Sequence, residues 1–263
     1  MNILVIGAGG VGASMASIAE TRSFFTQFVL ADISLSRAEE AIAQLDDRSK
    51  FVAEQVDARE MTAIKALIER VKADVVVNAC DPRMNEPIFN AAYEAHCNYI
   101  DMAMNLSEPH ASNPYEEVGS PLGADQLAAD QAWRDRGLLA LVGMGVEPGL
   151  SDVFARYAAD NLFDTIDEIG VRDGSNLSID GLDFAPTFSI WTTIEECLNP
   201  PIVWEKNRGL YTTDCFSEPE VFHFPAGIGP YECVNVEHEE VLLIPREIDC
   251  NRVTFKYSLG AEF

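Results

Sequence analysis

Hydrophobic positions follow two rhythms along the first half of the chain. Short, nearly continuous apolar runs occupy Asn2 to Ile6, Gln27 to Ala31 ending at Asp32, Phe51 to Gln55 ending near Asp57, Asp74 to Asn78, Asn98 to Ile100 and Leu138 to Val142. Between them lie stretches whose apolar residues recur three and four apart: Val11 to Arg22, Ser36 to Leu45, Met61 to Arg70, Asn85 to Ala95 and Ala124 to Arg136. A strand that is apolar on both sides is buried on both faces, so the alternation predicts a parallel sheet of six strands wrapped by crossover helices.

That is the pattern of an α/β, doubly wound Rossmann sheet over residues 1–149. After Gly149 the text changes. A helix is expected from Leu150 to Asn161, followed by β-rich segments such as Ile166 to Val171 and Glu240 to Ile244, with turns near Pro200, Pro225 and Pro230. Arg252 to Leu259 reads as a last strand with no closing helix. Residues 150–263 are therefore read as a second, α+β domain for substrate binding or dimerisation, either compact or incomplete at its C-terminus. The stretch from Asn105 to Gly123 carries three prolines and two glycines and reads as a long loop, a solvated excursion or a lid.

Composition narrows the partners. With 43 acidic and 18 basic residues the net charge is −25, which repels nucleic acid and anionic membrane surfaces and suits cationic or zwitterionic ligands. No apolar run approaches the ~20 residues of a membrane helix, and the chain opens directly on a strand, so a cytoplasmic protein is expected. The six cysteines are scattered, without a CxxC pair or a histidine at zinc-ligand spacing; reduced thiols and no metal are expected.

Gly7-Ala8-Gly9-Gly10-Val11-Gly12 fits GxGxxG between a strand and a helix. Gly7 permits the tight turn, Gly9 lets the backbone approach a pyrophosphate, and Gly12 lets helix and strand pack closely, while the helix N-terminus offers N–H groups to the anion. Asp32 follows Gly12 by twenty residues, at the end of the second strand, where a carboxylate accepts hydrogen bonds from an adenosine ribose. The expected cofactor is NAD or NADP. Asp32 would repel a 2′-phosphate and favours NAD, although Arg37 could turn inward and reverse that.

Ligands of a doubly wound sheet bind beyond the carboxyl ends of the strands. There lie Asp57, expected to border the adenine, and Ala79, Cys80 and Asp81, expected along the nicotinamide ribose. Asp101 and the run Gly143 to Gly149 end the fifth and sixth strands. For each polar residue the plain alternative is a cap or turn former.

Gly7 to Gly12, Val56-Asp57-Ala58, Val76-Val77-Asn78-Ala79 with Pro82, Asn98-Tyr99-Ile100-Asp101 and Gly143 to Gly149 together resemble the saccharopine dehydrogenase family, which includes carboxynorspermidine synthases and lysine dehydrogenases. Asn235 to Pro245 resembles its substrate domain. Family members run longer, and their usual Asp-Pro-Gly is Glu147-Pro148-Gly149 here. The resemblance implies NAD(P)-dependent interconversion of a secondary amine with an imine, on an amino-acid-derived or polyamine substrate. Such chemistry needs an acid or base of near-neutral pKa. Asp101 is the first candidate and His238, flanked by Glu237 and Glu239, the second; a lone histidine in an acidic loop is otherwise a solvated side chain. Arg83, Arg172 and Arg246 are candidates for substrate carboxylates, with Glu147 and Pro148 beside them, each arginine having a surface ion pair as its alternative. Glu237, Glu239 and Glu240 instead suit a polyamine, as in the carboxynorspermidine synthase branch. Two other classes stay open: a non-catalytic dinucleotide-binding sensor, and a semialdehyde dehydrogenase using Cys80 as nucleophile. A homodimer is expected through the second domain.

Overall fold

The structure is a computed structural model that describes residues 1–176, 180–181 and 189–258. It divides into two compact units. The first holds Met1–Asn105 and Asp125–Gly145; the second holds Leu106–Ala124 and the chain from Val146 on.

The first unit is a parallel six-stranded sheet. Its strands are β1 (Asn2–Ile6), β2 (Gln27–Asp32), β3 (Phe51–Gln55), β4 (Val75–Asn78), β5 (Asn98–Ile100) and β6 (Ala140–Leu141), in the order β3-β2-β1-β4-β5-β6. Side chains of a strand alternate between faces, and β1 shows the consequence. Leu4 and Ile6 pack with Ile64, Leu67 and Ile68 of α3 (Met61–Val71), Ile88 and Phe89 of α4 (Asn85–Glu94), and Trp133. Ile3 and Val5 pack instead with Ala16 of α1 (Gly10–Glu20) and with Ala38 and Ile42 of α2 (Leu35–Ala43). Two cores on opposite faces of one sheet explain why its strands read as unbroken apolar runs. The single helix expected from Ala124 to Arg136 is two, α5 (Ala124–Ala128) and α6 (Asp130–Asp135), divided at Ala129.

The second unit is a mixed sheet. Strands β8 (Ile202–Glu205), β9 (Gly209–Thr212), β10 (Glu220–Phe224), β11 (Gly229–Asn235) and β12 (Arg252–Tyr257) run in the order β10-β11-β12-β8-β9, and β7 (Glu168–Asp173) pairs with β12 in parallel. Leu259, expected to end the last strand, lies outside the described residues. The helices of this unit are α7 (Leu150–Asn161), α8 (Ile190–Leu198) and α9 (Glu240–Glu247).

Glu240 to Ile244, expected as a strand, is the body of α9. A run of four apolar residues is compatible with a buried helix as well as a strand, and periodicity alone does not separate the two. Here the surroundings decide: Val241 and Ile244, three apart, enter the core with Ile202, Val253 and Phe255. β7 lies two residues later at each end than the expected Ile166 to Val171. The Pro/Gly-rich stretch is a loop with one antiparallel bridge, Glu108 to Ser120, and its Ser107 is fastened by Asn199 Nδ2 at 3.3 Å.

Candidate functional site

The turn after β1 is built around glycine. Gly7 has φ +108°, and a Cβ there would sit 2.6 Å from the carbonyl oxygen of Ala79. A Cβ on Gly12 would sit 1.8 Å from the carbonyl oxygen of Gly7, so α1 can approach β1 only because position 12 has no side chain. Gly9 and Gly10 have nothing within 4 Å of their would-be Cβ, leaving open space over the N-terminus of α1, and Val11 beside them is exposed. No side chain caps that terminus and its first turn holds no acid. Asp32 is 7% exposed; its carboxylate accepts the N–H of Ala8 at 2.9 Å and of Ser34 at 2.9 Å, and Arg37 lies 3.7 Å away. An uncapped helix terminus under open space, with a fixed carboxylate beside it, fits a dinucleotide pyrophosphate and ribose.

The other expected cofactor contacts stand around this turn. Asp57 is paired with Arg59 at 2.6 Å, whose hydrogen bonds hold its carboxyl down at about 2. The N–H of Ala79 donates to Ile6 O at 2.8 Å. Asp81 caps Arg83 N and pairs with its guanidinium at 2.7 Å. Burial, with Asp32 and Asp81 nearby, pushes the Cys80 thiol up to about 12. A thiol so reluctant to ionise is a poor nucleophile, which argues against the semialdehyde dehydrogenase alternative.

Beyond β4, β5 and β6 runs a chain of buried polar side chains. Asn78 Nδ2 donates to Asn85 Oδ1 at 2.7 Å and to Tyr99 Oη at 3.3 Å. Tyr99 is hydrogen-bonded to Asp101, which is 1% exposed. Asp101 Oδ1 accepts Gly143 N–H at 2.7 Å and Oδ2 accepts Gln126 Nε2 at 2.6 Å, while Gln126 Oε1 accepts Asn105 N–H at 2.7 Å. Both oxygens of Asp101 are thus engaged by the protein.

The second unit gathers a different chemistry. His238, with a side chain 2% exposed, stacks on Phe255 of β12 with ring centroids 3.7 Å apart; far from being solvated, it is enclosed. Its Nδ1 is 2.5 Å from Glu240 Oε2, and Glu240 Oε1 accepts the hydroxyl of Ser151 at 2.7 Å. Glu196 lies 4.0 Å from Nε2, and Glu239 3.4 Å from Nδ1. Burial opposes the charged imidazole, but Glu240, Glu239 and Glu196 outweigh it and raise His238 to about 10. Burial pushes Glu196 to about 8, Glu147 to about 7 with Asp173 adding to it, and Asp152 to about 6 with Glu240 adding to it. Burial raises Asp173 and Glu237 as well, the latter opposed by hydrogen bonds from Ser107 and Asn199. Oε2 of Glu196 and Oδ1 of Asp152 are buried without a hydrogen-bond partner. The donor atoms of His238, Glu239 and Glu240 lie within 4.8 Å of one another, a set that a metal ion could also use, where the sequence reading expected none.

The expected substrate arginines stay apart from this cluster's hydrogen bonds. Arg172 is held by Glu220 and by Thr254 Oγ1 at 3.1 Å; Arg246 is exposed in the last turn of α9. Glu147 joins the cluster through its charge, and its bond to Pro148 is cis. Sequence reasoning missed Gln126, Ser151, Asp152, Asp173, Glu196 and Tyr257, the last hydrogen-bonded to Glu196. Ser151 and Asp152 share α7 and the others lie on separate elements, so they come together only in the folded chain; the clearest local signal was Asp152, three residues after Gly149 in a helix's first turn.

A family model, the saccharopine dehydrogenase NADP binding domain, matches residues 3–141. The carboxynorspermidine synthase of Vibrio cholerae is 30% identical over 271 residues, covering 100% of this chain and 64% of the relative. The carboxyaminopropylagmatine dehydrogenase of Synechocystis is 28% identical over 194 residues, covering 74% of this chain and 46% of the relative. The solved saccharopine dehydrogenase (L-Glu forming) of Saccharomyces cerevisiae shares the fold, with a TM-score of 0.69 at 13% identity over 99% of this chain and 56% of that one. This chain spans under two thirds of the length of these proteins. Among the described residues no helix is long and apolar enough to cross a membrane.

Two expectations follow. Gly9→Ala, with open space around it, should leave the melting temperature unchanged and abolish dinucleotide binding, whereas Gly12→Ala should lower stability by more than about 2 kcal/mol; equal behaviour of the two in calorimetric titration and thermal melts would contradict the assignment. The pH dependence has a definite sign. Glu196, raised from 4.5 to about 8, contributes a loss of stability as pH climbs through that window, because the unfolded chain releases its proton first. His238, raised from 6.5 to about 10, contributes stability present below 6.5 and lost toward 10. Melting midpoints of the second unit should fall by roughly 5 °C or more from about pH 5 to about pH 9, and Glu196→Gln should flatten the acidic half of that slope.

Proposed function

The chain belongs to the saccharopine dehydrogenase family through its NADP-binding domain, and from that premise we propose that it is an NAD(P)-dependent oxidoreductase acting on the CH–NH group of an amino-acid-derived secondary amine, with a polyamine as the amine partner. The observation that carries the amine half is the enclosure of His238 among carboxylates whose pKa values bracket neutrality. An ammonium group is attracted to a cluster rich in carboxylates, and groups poised near pH 7 exchange protons readily with amine nitrogen and water.

In the synthetic direction the amine and a carbonyl compound lose water to form an imine; a hydride then adds to the imine carbon and a proton to its nitrogen, giving the secondary amine. The dinucleotide, when bound, supplies the hydride. Gly9 and the α1 terminus would hold its pyrophosphate and Asp32 its ribose. We assign proton delivery and the activation of water to the Glu147, Glu196 and His238 group. Asp101, with both oxygens occupied by Gln126 and Gly143, serves better as a fixed support than as a proton carrier.

The polyamine branch is favoured over a substrate bearing several carboxylates because two of the three arginines expected to receive those carboxylates are already engaged, Arg83 by Asp81 and Arg172 by Glu220, and the third, Arg246, is exposed in the last turn of α9. Relatives named for carboxynorspermidine and carboxyaminopropylagmatine support the same branch. For the cofactor we favour NAD, since the Asp32 carboxylate is held beside the site by two backbone N–H groups and Arg37, 3.7 Å from it, is paired with that carboxylate. We also place a homodimer contact on α7, whose Val153, Phe154 and Tyr157 are all more than half exposed along one face.

Oxidation of NADH should be seen with aspartate semialdehyde plus a diamine, exceed that with 2-oxoglutarate plus lysine, and fall by about 10²-fold in His238→Asn. NADH should bind more tightly than NADPH. Binding without turnover on either substrate pair would instead favour the sensor reading. Light scattering should give a dimer, and Phe154→Glu a monomer.

A further inference from the structure

The polar chain beyond β4, β5 and β6 is longer than packing needs. Asn78, Asn85, Tyr99, Asp101 and Gln126 are each at most 5% exposed, and their hydrogen bonds end on backbone groups of the turns that leave the strands: Cys80 N at 2.9 Å, Ala103 O at 2.8 Å, Asn105 N at 2.7 Å and Gly143 N at 2.7 Å. Gln126 is the link that closes the chain on the 101–105 turn. Its amide donates to the Asp101 carboxylate and accepts the Asn105 N–H at the same time, tying the start and the end of the 101–105 turn together, while Asp101 ties that turn to Gly143. These turns lie on the carboxyl edge of the sheet, on the far side of β1 from the Asp32 turn.

A doubly wound sheet receives a dinucleotide along that edge, its adenosine half over the first glycine turn and its other half across the strands on the opposite side of the switch point. We propose that Gln126 is a positioning residue for the nicotinamide half of the bound dinucleotide, acting through Asp101 to fix the 101–105 and 143–144 turns against which that half rests. This rests on the dinucleotide-binding reading above. Gln126 and Asp101 hold the turns at Asn105 and Gly143, whereas Asp32 is held by Ala8 N–H and Ser34 N–H, so the proposal has the two halves of the ligand rest on separate turns of the unit.

That separation makes the test. Dissociation constants of the full chain for NADH and for ADP-ribose are compared in Gln126→Leu and Gln126→Glu. The leucine variant should weaken NADH about tenfold and ADP-ribose by less than about twofold, because a buried acceptor and a buried donor lose their partner at one end of the site only. In Gln126→Glu two carboxylates meet across a hydrogen bond of 2.6 Å in the parent, so NADH affinity should be lost at about pH 8 and recovered at about pH 5.5, when a shared proton restores the donor. The parent chain at both pH values provides the reference. Unchanged NADH affinity in both variants, or equal loss of NADH and ADP-ribose, overturns the proposal; recovery of NADH binding in acid separates positioning from misfolding. If the parent binds neither ligand, the dinucleotide reading itself falls.

Discussion

The contact on which the first unit turns is the approach of the Gly12 position to the carbonyl of Gly7. A methyl group there would have to lie 1.8 Å from that oxygen, well inside any allowed separation. Because nothing fills that gap, α1 lies close on β1, and Ala16 of the helix enters the same core as Val5 and Leu30. The same turn fastens β2. Gly7 N–H donates to Ala31 O at 2.7 Å, and Ala8 N–H donates to Asp32 at 2.9 Å, so the acid proposed for a ribose is placed by the loop proposed for a pyrophosphate. The glycine turn and the sheet are one arrangement of backbone, so a change that disturbs either disturbs both.

The second unit obeys the opposite logic. Enclosing His238 with Glu240, Glu239 and Glu196 places several ionisable groups where water is scarce, and burial of unpaired carboxylate oxygens on Glu196 and Asp152 is unfavourable for folding. Hydrogen bonds offset part of it, Ser151 to Glu240 and Asn199 to Glu237. The remainder is expressed as shifted proton affinities: carboxyls that hold protons near neutral pH and an imidazole that keeps its charge. Folds tolerate such groups mainly where they are used.

The sheet of the first unit was legible because its strands are apolar on both faces and its turn is constrained by glycine, both local properties of the chain. The turn and Asp32 were readable for the same reason, lying within twenty-odd residues and at fixed offsets. Glu240 to Ile244 was not, since Val-Leu-Leu-Ile suits a buried strand as well as a helix, and its helical state is settled by packing against Val253 and Phe255, which follow it in the chain. His238 read as solvated because its neighbours Glu237, Glu239 and Glu240 are acidic, and an acidic run is normally a surface. What buries it is the ring of Phe255 seventeen positions away, together with Glu196 on a separate helix. Gln126 left no signal at all: one glutamine in a short polar helix becomes a link only when β5 and β6 lie side by side.

These two kinds of polar burial differ in what they can do. In the chain from Asn78 to Gln126 nearly every donor meets an acceptor, so the group is rigid; Asp101 is bounded on both oxygens. Around His238 the acceptors outnumber the donors, and two carboxylate oxygens have none. A satisfied network fixes positions, whereas an acceptor-rich one draws in protons or cationic groups from outside. The first unit therefore holds a fixed polar network, and the second a cluster whose proton affinities are displaced by burial and by neighbouring charge.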